Sequence, residues 1–234
     1  MKKRSKLFVF ILLLGVLFYF KEDIYNYTYS IINTSNESYD IENLPEYDGN
    51  SYVIVNDNIP YFKEEEYTTT SFEKYSELDS LGRCGVASAN ISKDLMPTEK
   101  RGSIGMIKPS GWHTIKYDHI DGKYLYNRCH LIGYQLTGEN ANEKNLITCT
   151  RSMNTKGMLQ FENMVTKYIK DTGRHGLYRV TPVFEGNNLV ATGVEMEAYS
   201  VEDNGKGIKF NVFVYNIEDG IIIDYKTGDS KLAN

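Results

Sequence analysis

The chain has 234 residues, of which 41% are hydrophobic and 24% are charged. This balance supports a globular core and excludes a wholly disordered chain. The net charge of −5 excludes a uniformly basic surface, yet residues 81–180 hold 15 basic and 8 acidic residues, whereas residues 21–80 hold 3 basic and 14 acidic ones. Local potential steers a charged ligand, so the middle of the chain suits a polyanion. The simpler alternative is a solvated basic face.

The N-terminus combines a basic stretch, residues 1–6, with 14 uncharged residues from 7 to 20. Apolar regions of signal peptides run to ~15 residues, whereas a membrane-spanning helix usually needs ~20. The length of residues 1–20 therefore favours an export signal, but the absence of a small-residue cleavage site favours an uncleaved signal-anchor. Residues 21–48 are acidic and polar and are interpreted as a tether, with the folded domain over residues 49–234.

The first half of the domain predicts short strands between loops. Residues 52–55 and 83–89 are candidate strands, and three glutamates at 64–66 predict a solvated turn. Prolines and glycines between 97 and 111 indicate a looped region. Residues 123–130 and 145–149 alternate well enough to predict two further strands.

A helix of about four turns is predicted from Asn154 onward, because apolar residues recur there with helical spacing. Asn154 or Thr155 is expected to cap its start, and Gly173 to end it. Four strands follow, at 177–184, 189–199, 208–217 and 221–225, separated by turn-forming residues that predict an antiparallel meander. The order of these elements predicts an α+β fold.

The chemistry is concentrated around His130 and Arg128. Side chains two positions apart on a strand point to the same face, so an imidazole and a guanidinium lie side by side. An imidazole can remove a proton near neutral pH, and a guanidinium can contact two phosphate oxygens. A lone histidine is more often structural, and none of the other three, His113, His119 and His175, has a comparable setting.

Three more polar residues follow. The amide oxygen of Asn154 is a hard ligand that suits Mg²⁺. Glu162 lies eight residues further, about 80° around a regular helix and ~12 Å along it, so it is expected to act through water. Asn145, at a strand start, could shape a loop or orient His130 or a metal-bound water.

Three cysteines, Cys84, Cys129 and Cys149, allow at most one disulfide within the chain. Cys129 could pair with either of the other two. A metal site from Cys129, His130 and Cys149 is weakly supported, because the spacing of these residues is irregular.

The ordered set resembles the DNA/RNA non-specific endonucleases of the ββα-metal superfamily, especially bacterial DNA-entry nucleases and secreted DNases. The likeness spans residues 80–225, with its motif core at 123–170. It is carried by Asn127-Arg128-Cys129-His130, Leu131-Ile132-Gly133-Tyr134, Asn145-Leu146-Ile147-Thr148, Asn154 and Glu162. A short tetrad is a weak signal alone, but the ordered set with its spacing is specific.

The resemblance implies a ββα-metal finger packed on an antiparallel β-sheet. It implies a Mg²⁺-dependent phosphodiesterase, with Mn²⁺ as a substitute and no organic cofactor. The implied substrates are DNA and RNA, cut with little base preference to leave 5′-phosphate ends. His130 matches the general base, and Arg128 the motif arginine. Asn145 matches a supporting active-site asparagine. Asn154 matches the metal ligand, and Glu162 the glutamate that supports the hydrated metal.

Two positions depart from the family pattern, since Asn127 replaces the usual aspartate and Cys129 the usual glycine. Loss of the acid is expected to matter little if Asn127 faces away from the site, and to reduce activity if this position helps to fix the histidine or the metal. The expected location is secreted, or at the outer face of the cell membrane with the membrane as a partner of an uncleaved leader. A binding module of the same fold without turnover is one alternative. A zinc hydrolase that uses His113, His119 or His130 is another.

Overall fold

The computed structural model describes residues 44–233, and Pro45–Asn234 form one compact unit. The predictions for residues 1–20, and for nearly all of the tether at 21–48, lie outside the described residues. None of the helices within residues 44–233 is long and apolar enough to cross a membrane.

An antiparallel six-stranded sheet forms the body of the domain, in the order β1-β8-β7-β6-β3-β2. Its strands are β1 (Tyr52–Ile54), β2 (Phe72–Tyr75), β3 (Ala87–Ile91), β6 (Gly176–Val183), β7 (Gly193–Ser200) and β8 (Lys209–Tyr215). Strands β6, β7 and β8 are the predicted meander, with Val180 opposite Met196 and Met196 opposite Val212. Alternating residues of these strands are fully buried and form one wall of the core.

The second layer is a ββα unit. Strands β4 (Tyr126–His130) and β5 (Leu146–Thr150) pair antiparallel, and a short helix α1 (Tyr134–Thr137) lies between them. A π-helical turn (Met153–Met158) then leads into helix α2 (Leu159–Thr172). The buried face of α2, including Phe161, Val165 and Ile169, belongs to the same core as the sheet. The α+β prediction and the finger-on-sheet arrangement are confirmed.

The helix starts earlier than predicted, and its cap is a different residue. Asn154 and Thr155 lie inside the π-helical turn and do not cap it. The Thr150 Oγ1 instead accepts a hydrogen bond from the Met153 backbone N–H at 3.0 Å. The Glu218 carboxylate accepts from the Ser152 backbone N–H at 2.8 Å, which places negative charge at the helix N-terminus, where it is stabilising. The predicted end is confirmed, because Gly173 has a left-handed φ of 72°.

Several strand predictions need correction. The strand predicted at 83–89 is displaced to Ala87–Ile91, because Arg83 is held in a turn by Asp79. Residues 221–225 do not extend the meander. Ile221–Ile223 form β9, which pairs with β10 (Ser230–Leu232) in a separate hairpin. Strands β2 and β10 were not predicted, since both are short edge strands without a fully buried residue.

The disulfide links Cys129 of β4 to Cys149 of β5, with their Cα atoms 5.9 Å apart. Cys84 is buried and free. Its thiol donates to the Leu146 carbonyl, and burial raises its pKa to about 12, so it is an unreactive core residue. The pairing that the sequence left open is therefore between the two strands of the finger. A metal site using both of these cysteines is ruled out.

Candidate active site

His130 ends strand β4 with its imidazole almost fully buried. Its Nε2 lies 2.8 Å from the Asn140 backbone carbonyl, and its Nδ1 lies 3.3 Å from Nη2 of Arg101. A carbonyl can only accept and a guanidinium can only donate, so Nε2 carries the proton and Nδ1 offers its lone pair. The ring is thus held as one neutral tautomer with its basic nitrogen directed at Arg101.

The surroundings keep His130 neutral. Burial, helped by the positive charge of Arg101 and opposed by the hydrogen bond to Asn140, lowers the pKa of His130 to about 4. The imidazole is therefore unprotonated throughout the physiological pH range. A neutral imidazole is the form that can accept a proton, here at Nδ1.

Glu162 reaches the same site from helix α2. A Cβ placed on Gly133 would lie only 2.7 Å from the Glu162 carboxylate, so this side chain packs directly against the chain three residues after His130. Burial raises the pKa of Glu162 to about 7, while Arg101 and a hydrogen bond from Gln135 oppose the rise. His130 and Glu162 therefore share Arg101 as a charged neighbour.

Asn154 projects from the π-helical turn and is partly buried. Within residues 44–233 its side-chain amide has no hydrogen-bond partner. The amide oxygen is thus available to a ligand.

Asn145 is fully buried and clamps the backbone beside His130. Its Oδ1 accepts from the Ile132 N–H at 2.8 Å, and its Nδ2 donates to the Ile132 carbonyl at 3.0 Å. This pair of bonds fixes the segment between His130 and Gly133. These contacts are those of a residue that shapes the backbone, and a part for Asn145 in orienting His130 or a metal-bound water stays a prediction.

Arg128 lies on the His130 face of β4, but its partners are loop carbonyls. Its guanidinium donates to the carbonyls of Ile107 and Gly105, the latter at 3.0 Å. It also stacks on the Trp112 ring, 3.9 Å from the centroid. Arg128 therefore fastens the loop that follows Arg101.

Arg101 is the site residue that the sequence did not reveal. It lies in the loop region 97–111, with no element or motif spacing to mark it. The loop is held by a hydrogen bond from the Tyr134 hydroxyl to the Glu99 carbonyl at 2.7 Å and by the close approach of Gly102 to the Asn140 side chain. The only sequence signal was the basic character of residues 81–180.

The two substituted motif positions lie away from the imidazole. Asn127 is opposite Cys149 in the β4–β5 pair, and strand alternation puts it on the side of the disulfide. Its Nδ2 is buried without a hydrogen-bond partner among the described residues. The absence of an aspartate here leaves the His130 contacts unaffected.

The remaining histidines have structural partners. The Nε2 atoms of His113 and His119 lie 3.1 Å from the carbonyls of Thr227 and Asp219, and His175 pairs with Glu202. Within residues 44–233 no group of three or more His, Cys, Asp or Glu side chains could hold a metal ion. The described residues therefore give no support to the zinc-hydrolase alternative, which needs three such ligands.

The comparisons with known proteins agree with this geometry. A family model described as DNA/RNA non-specific endonuclease matches residues 63–202. NucA from Streptococcus agalactiae with magnesium ion bound matches at 26% identity and TM-score 0.71, over 82% of this chain and 92% of that one. Sda1 nuclease with bound zinc ion matches at 28% identity and TM-score 0.61, over 79% of this chain and 97% of that one. An extracellular endonuclease at 21% identity shares the fold, with TM-score 0.56, over 80% of this chain and all of that one.

The family match covers more than half of the chain and includes β4, β5 and α2. The chain therefore belongs to the DNA/RNA non-specific endonuclease family and is a nuclease. Its fold is similar to that of NucA and of Sda1.

The residues present fit the metal ion on which this family depends. Mg²⁺ keeps several of its waters and is usually held by one or two protein oxygens plus substrate phosphate, so a cage of protein ligands is not required. Asn154 offers an unpaired amide oxygen, and Glu162 offers a carboxylate that can accept hydrogen bonds from bound waters.

Proposed function

We propose that this protein is a Mg²⁺-dependent, sequence-non-specific endonuclease that hydrolyses DNA and RNA and leaves 5′-phosphate ends. The observation that carries the proposal is the state of His130, whose unprotonated Nδ1 lies 3.3 Å from a guanidinium. A base and a phosphate-binding cation are thereby held side by side. The basic block at 81–180 supports a polyanionic substrate, because phosphate contacts bind without reading sequence.

In the proposed reaction, Nδ1 of His130 takes a proton from the water that attacks phosphorus. The bond from phosphorus to the 3′ oxygen breaks, and the departing oxygen takes a proton from water. The Asn140 carbonyl holds the opposite ring nitrogen and favours the imidazolium that forms. Arg101 pairs with the phosphate, which compensates the positive charge that lowers the pKa of His130 in the free protein. Arg128 keeps the loop of Arg101 in place, and Asn145 fixes the backbone after His130.

Asn154 is the proposed metal ligand, and Glu162 the residue that orients its waters. When bound, Mg²⁺ would stabilise the charge that develops on the phosphate and on the leaving oxygen. Mn²⁺ is expected to substitute, since it accepts the same oxygen ligands.

The proposed location is outside the cell, either secreted or anchored at the outer face of the membrane. The basic and apolar leader at residues 1–20 supports export. The Cys129–Cys149 disulfide supports an oxidising compartment.

The test is a digestion of supercoiled plasmid and RNA by the chain from Pro45 onward, with Mg²⁺ or with EDTA. Cleavage should require Mg²⁺. His130→Ala should abolish cleavage but leave DNA binding intact, and Asn154→Ala should sharply raise the Mg²⁺ requirement or abolish activity. His175→Ala, which removes a histidine paired with Glu202, is the matched control. Binding without cleavage by the unmodified protein would instead support a module without turnover.

A further inference from the structure

The start of the long helix contains a π-helical turn between the two residues proposed to serve the metal. In a regular α-helix, side chains eight residues apart, such as Asn154 and Glu162, diverge by about 80°. A π-helical turn closes from i to i+5 and so takes up about one extra residue. One π turn followed by one α turn therefore spans about eight residues, which brings Asn154 and Glu162 onto one face of the helix.

The absence of a side chain at Gly157 allows this turn to pack closely against the sheet. It is buried in the turn, and a Cβ at this position would lie only 2.4 Å from Cγ1 of Val214, a fully buried residue of strand β8. A side chain here would push the turn off the sheet. Alanine also favours a regular α-helix over glycine by about 1 kcal/mol.

Two side chains, Thr155 in the turn and Gln160 just after it, donate hydrogen bonds to backbone carbonyls in and beside the turn. Nε2 of Gln160 donates to the carbonyls of Lys156 at 2.7 Å and Gly157 at 3.2 Å. The Thr155 hydroxyl donates to the Arg151 carbonyl at 2.8 Å. π-helical turns are rare and occur frequently at functional sites. Here the turn is fixed by packing on one side and by hydrogen bonds on the other.

We propose that Gly157 and Gln160 are positioning residues for the metal site, because they hold the π-helical turn that aligns Asn154 with Glu162. This proposal rests on the metal-dependent function proposed above. Neither residue contacts the metal. Their effect is on the direction of the Asn154 amide relative to the Glu162 carboxylate.

The experiment measures Mn²⁺ binding by isothermal titration calorimetry, without nucleic acid, on the chain from Pro45 onward. Gly157→Ala should weaken Mn²⁺ binding about tenfold, as expected for loss of a residue that orients a ligand. Val214→Ala in the Gly157→Ala background makes room for the added methyl and should restore most of the affinity. Gly176→Ala is the matched control. Its Cβ would meet the same helix at Val165 without a clash, at 3.5 Å, so Mn²⁺ binding should be unchanged.

Gln160→Ala is the second arm, since Gln160 is exposed and its loss does not threaten folding. It should also weaken Mn²⁺ binding, whereas Met164→Ala, an exposed position on the same helix, should not. If Gly157→Ala fails to fold, the Mn²⁺ affinity of Gln160→Ala decides whether the proposal holds. Wild-type affinity in the folded variants overturns this proposal alone. Failure of the unmodified protein to bind Mn²⁺ overturns the proposed function instead.

Discussion

The central residue is His130, and its chemistry depends on neighbours that are distant in sequence. Asn140 fixes its tautomer, and Arg101 adds to the lowering of its pKa by burial, although the two residues come from different loops. The imidazole was identifiable from the spacing of Arg128 and His130. Its protonation state was not, because it depends on burial and on loop packing.

Removal of the Arg101 charge is the sharpest single-residue test of the site. Arg101→Ala should slow plasmid cleavage about 100-fold, the order expected when one donor to a developing phosphate charge is lost. The pKa of His130 should rise at the same time, because the nearby positive charge is gone. Cleavage kinetics and NMR titration of the imidazole measure the two effects. Lys100→Ala, which removes the adjacent exposed cation, should change neither. An unchanged rate for Arg101→Ala would exclude phosphate binding by this residue.

The pH dependence of metal binding should follow Glu162. Its pKa is raised to about 7, so the carboxyl is largely protonated below that pH and holds hydrated metal poorly. Mn²⁺ affinity is therefore expected to increase with pH up to about 7 and then level off. His130 adds no step in this range, because its pKa is lowered to about 4. Calorimetric titrations between pH 5.5 and 8 check this, and Glu162→Gln should remove the slope. A slope that persists in Glu162→Gln would assign it to another group.

Among the elements, the strands and the long helix of the finger were predicted from the sequence, but the π-helical turn and the helix cap were not. Apolar spacing located α2, and Gly173 located its end. The π-helical turn escaped prediction because the residues that create it act through tertiary contacts. A side chain at Gly157 is excluded by the approach of Val214, and the Glu218 carboxylate accepts from the Ser152 N–H beside the Thr150 cap. Arg101 was not predicted for the same reason, since only tertiary contacts bring it to the site.

The disulfide is the main covalent support of the finger. Cys129 and Cys149 are separated by 20 residues, and closing a loop of this length is expected to contribute about 3 kcal/mol through the unfolded state. The Cys129→Ala/Cys149→Ala double variant should lose about that much unfolding free energy in urea. Addition of a reductant should destabilise the unmodified protein but leave the double variant unaffected. Equal stability of the two proteins under oxidising conditions would contradict a stabilising disulfide.

At the scale of the whole molecule, the sheet extends beyond the segment that defines the family. The matched residues end at 202, yet β8 lies between β7 and β1 and contributes Phe210, Val212 and Val214 to the core. A chain ending at residue 202 would expose the edge of β7 and remove the neighbour of β1. The α+β class could be predicted from the order of elements. The neighbours of β1 and β2 could not, because long-range pairing leaves no local pattern.

The contribution of β8 to the core, outside the matched residues, leads to a direct prediction. A chain of residues 45–202 should fail to unfold cooperatively, because burying large apolar side chains contributes about 1.5–3 kcal/mol each. A chain of residues 45–233 should unfold in one transition. Circular dichroism during a thermal scan distinguishes the two results. A cooperative transition for the shorter chain would show that β8 is dispensable.

The contacts of Asn216 and Glu218 have a further consequence for evolution and for engineering. Asn216 accepts from the Thr150 N–H at 2.8 Å and donates to the Thr148 carbonyl at 3.2 Å, and Glu218 holds the first turn of the helix. Part of the framework of the finger therefore comes from residues more than sixty positions downstream. Grafting residues 123–170 alone onto another scaffold would transfer the reactive groups without the supports that orient them.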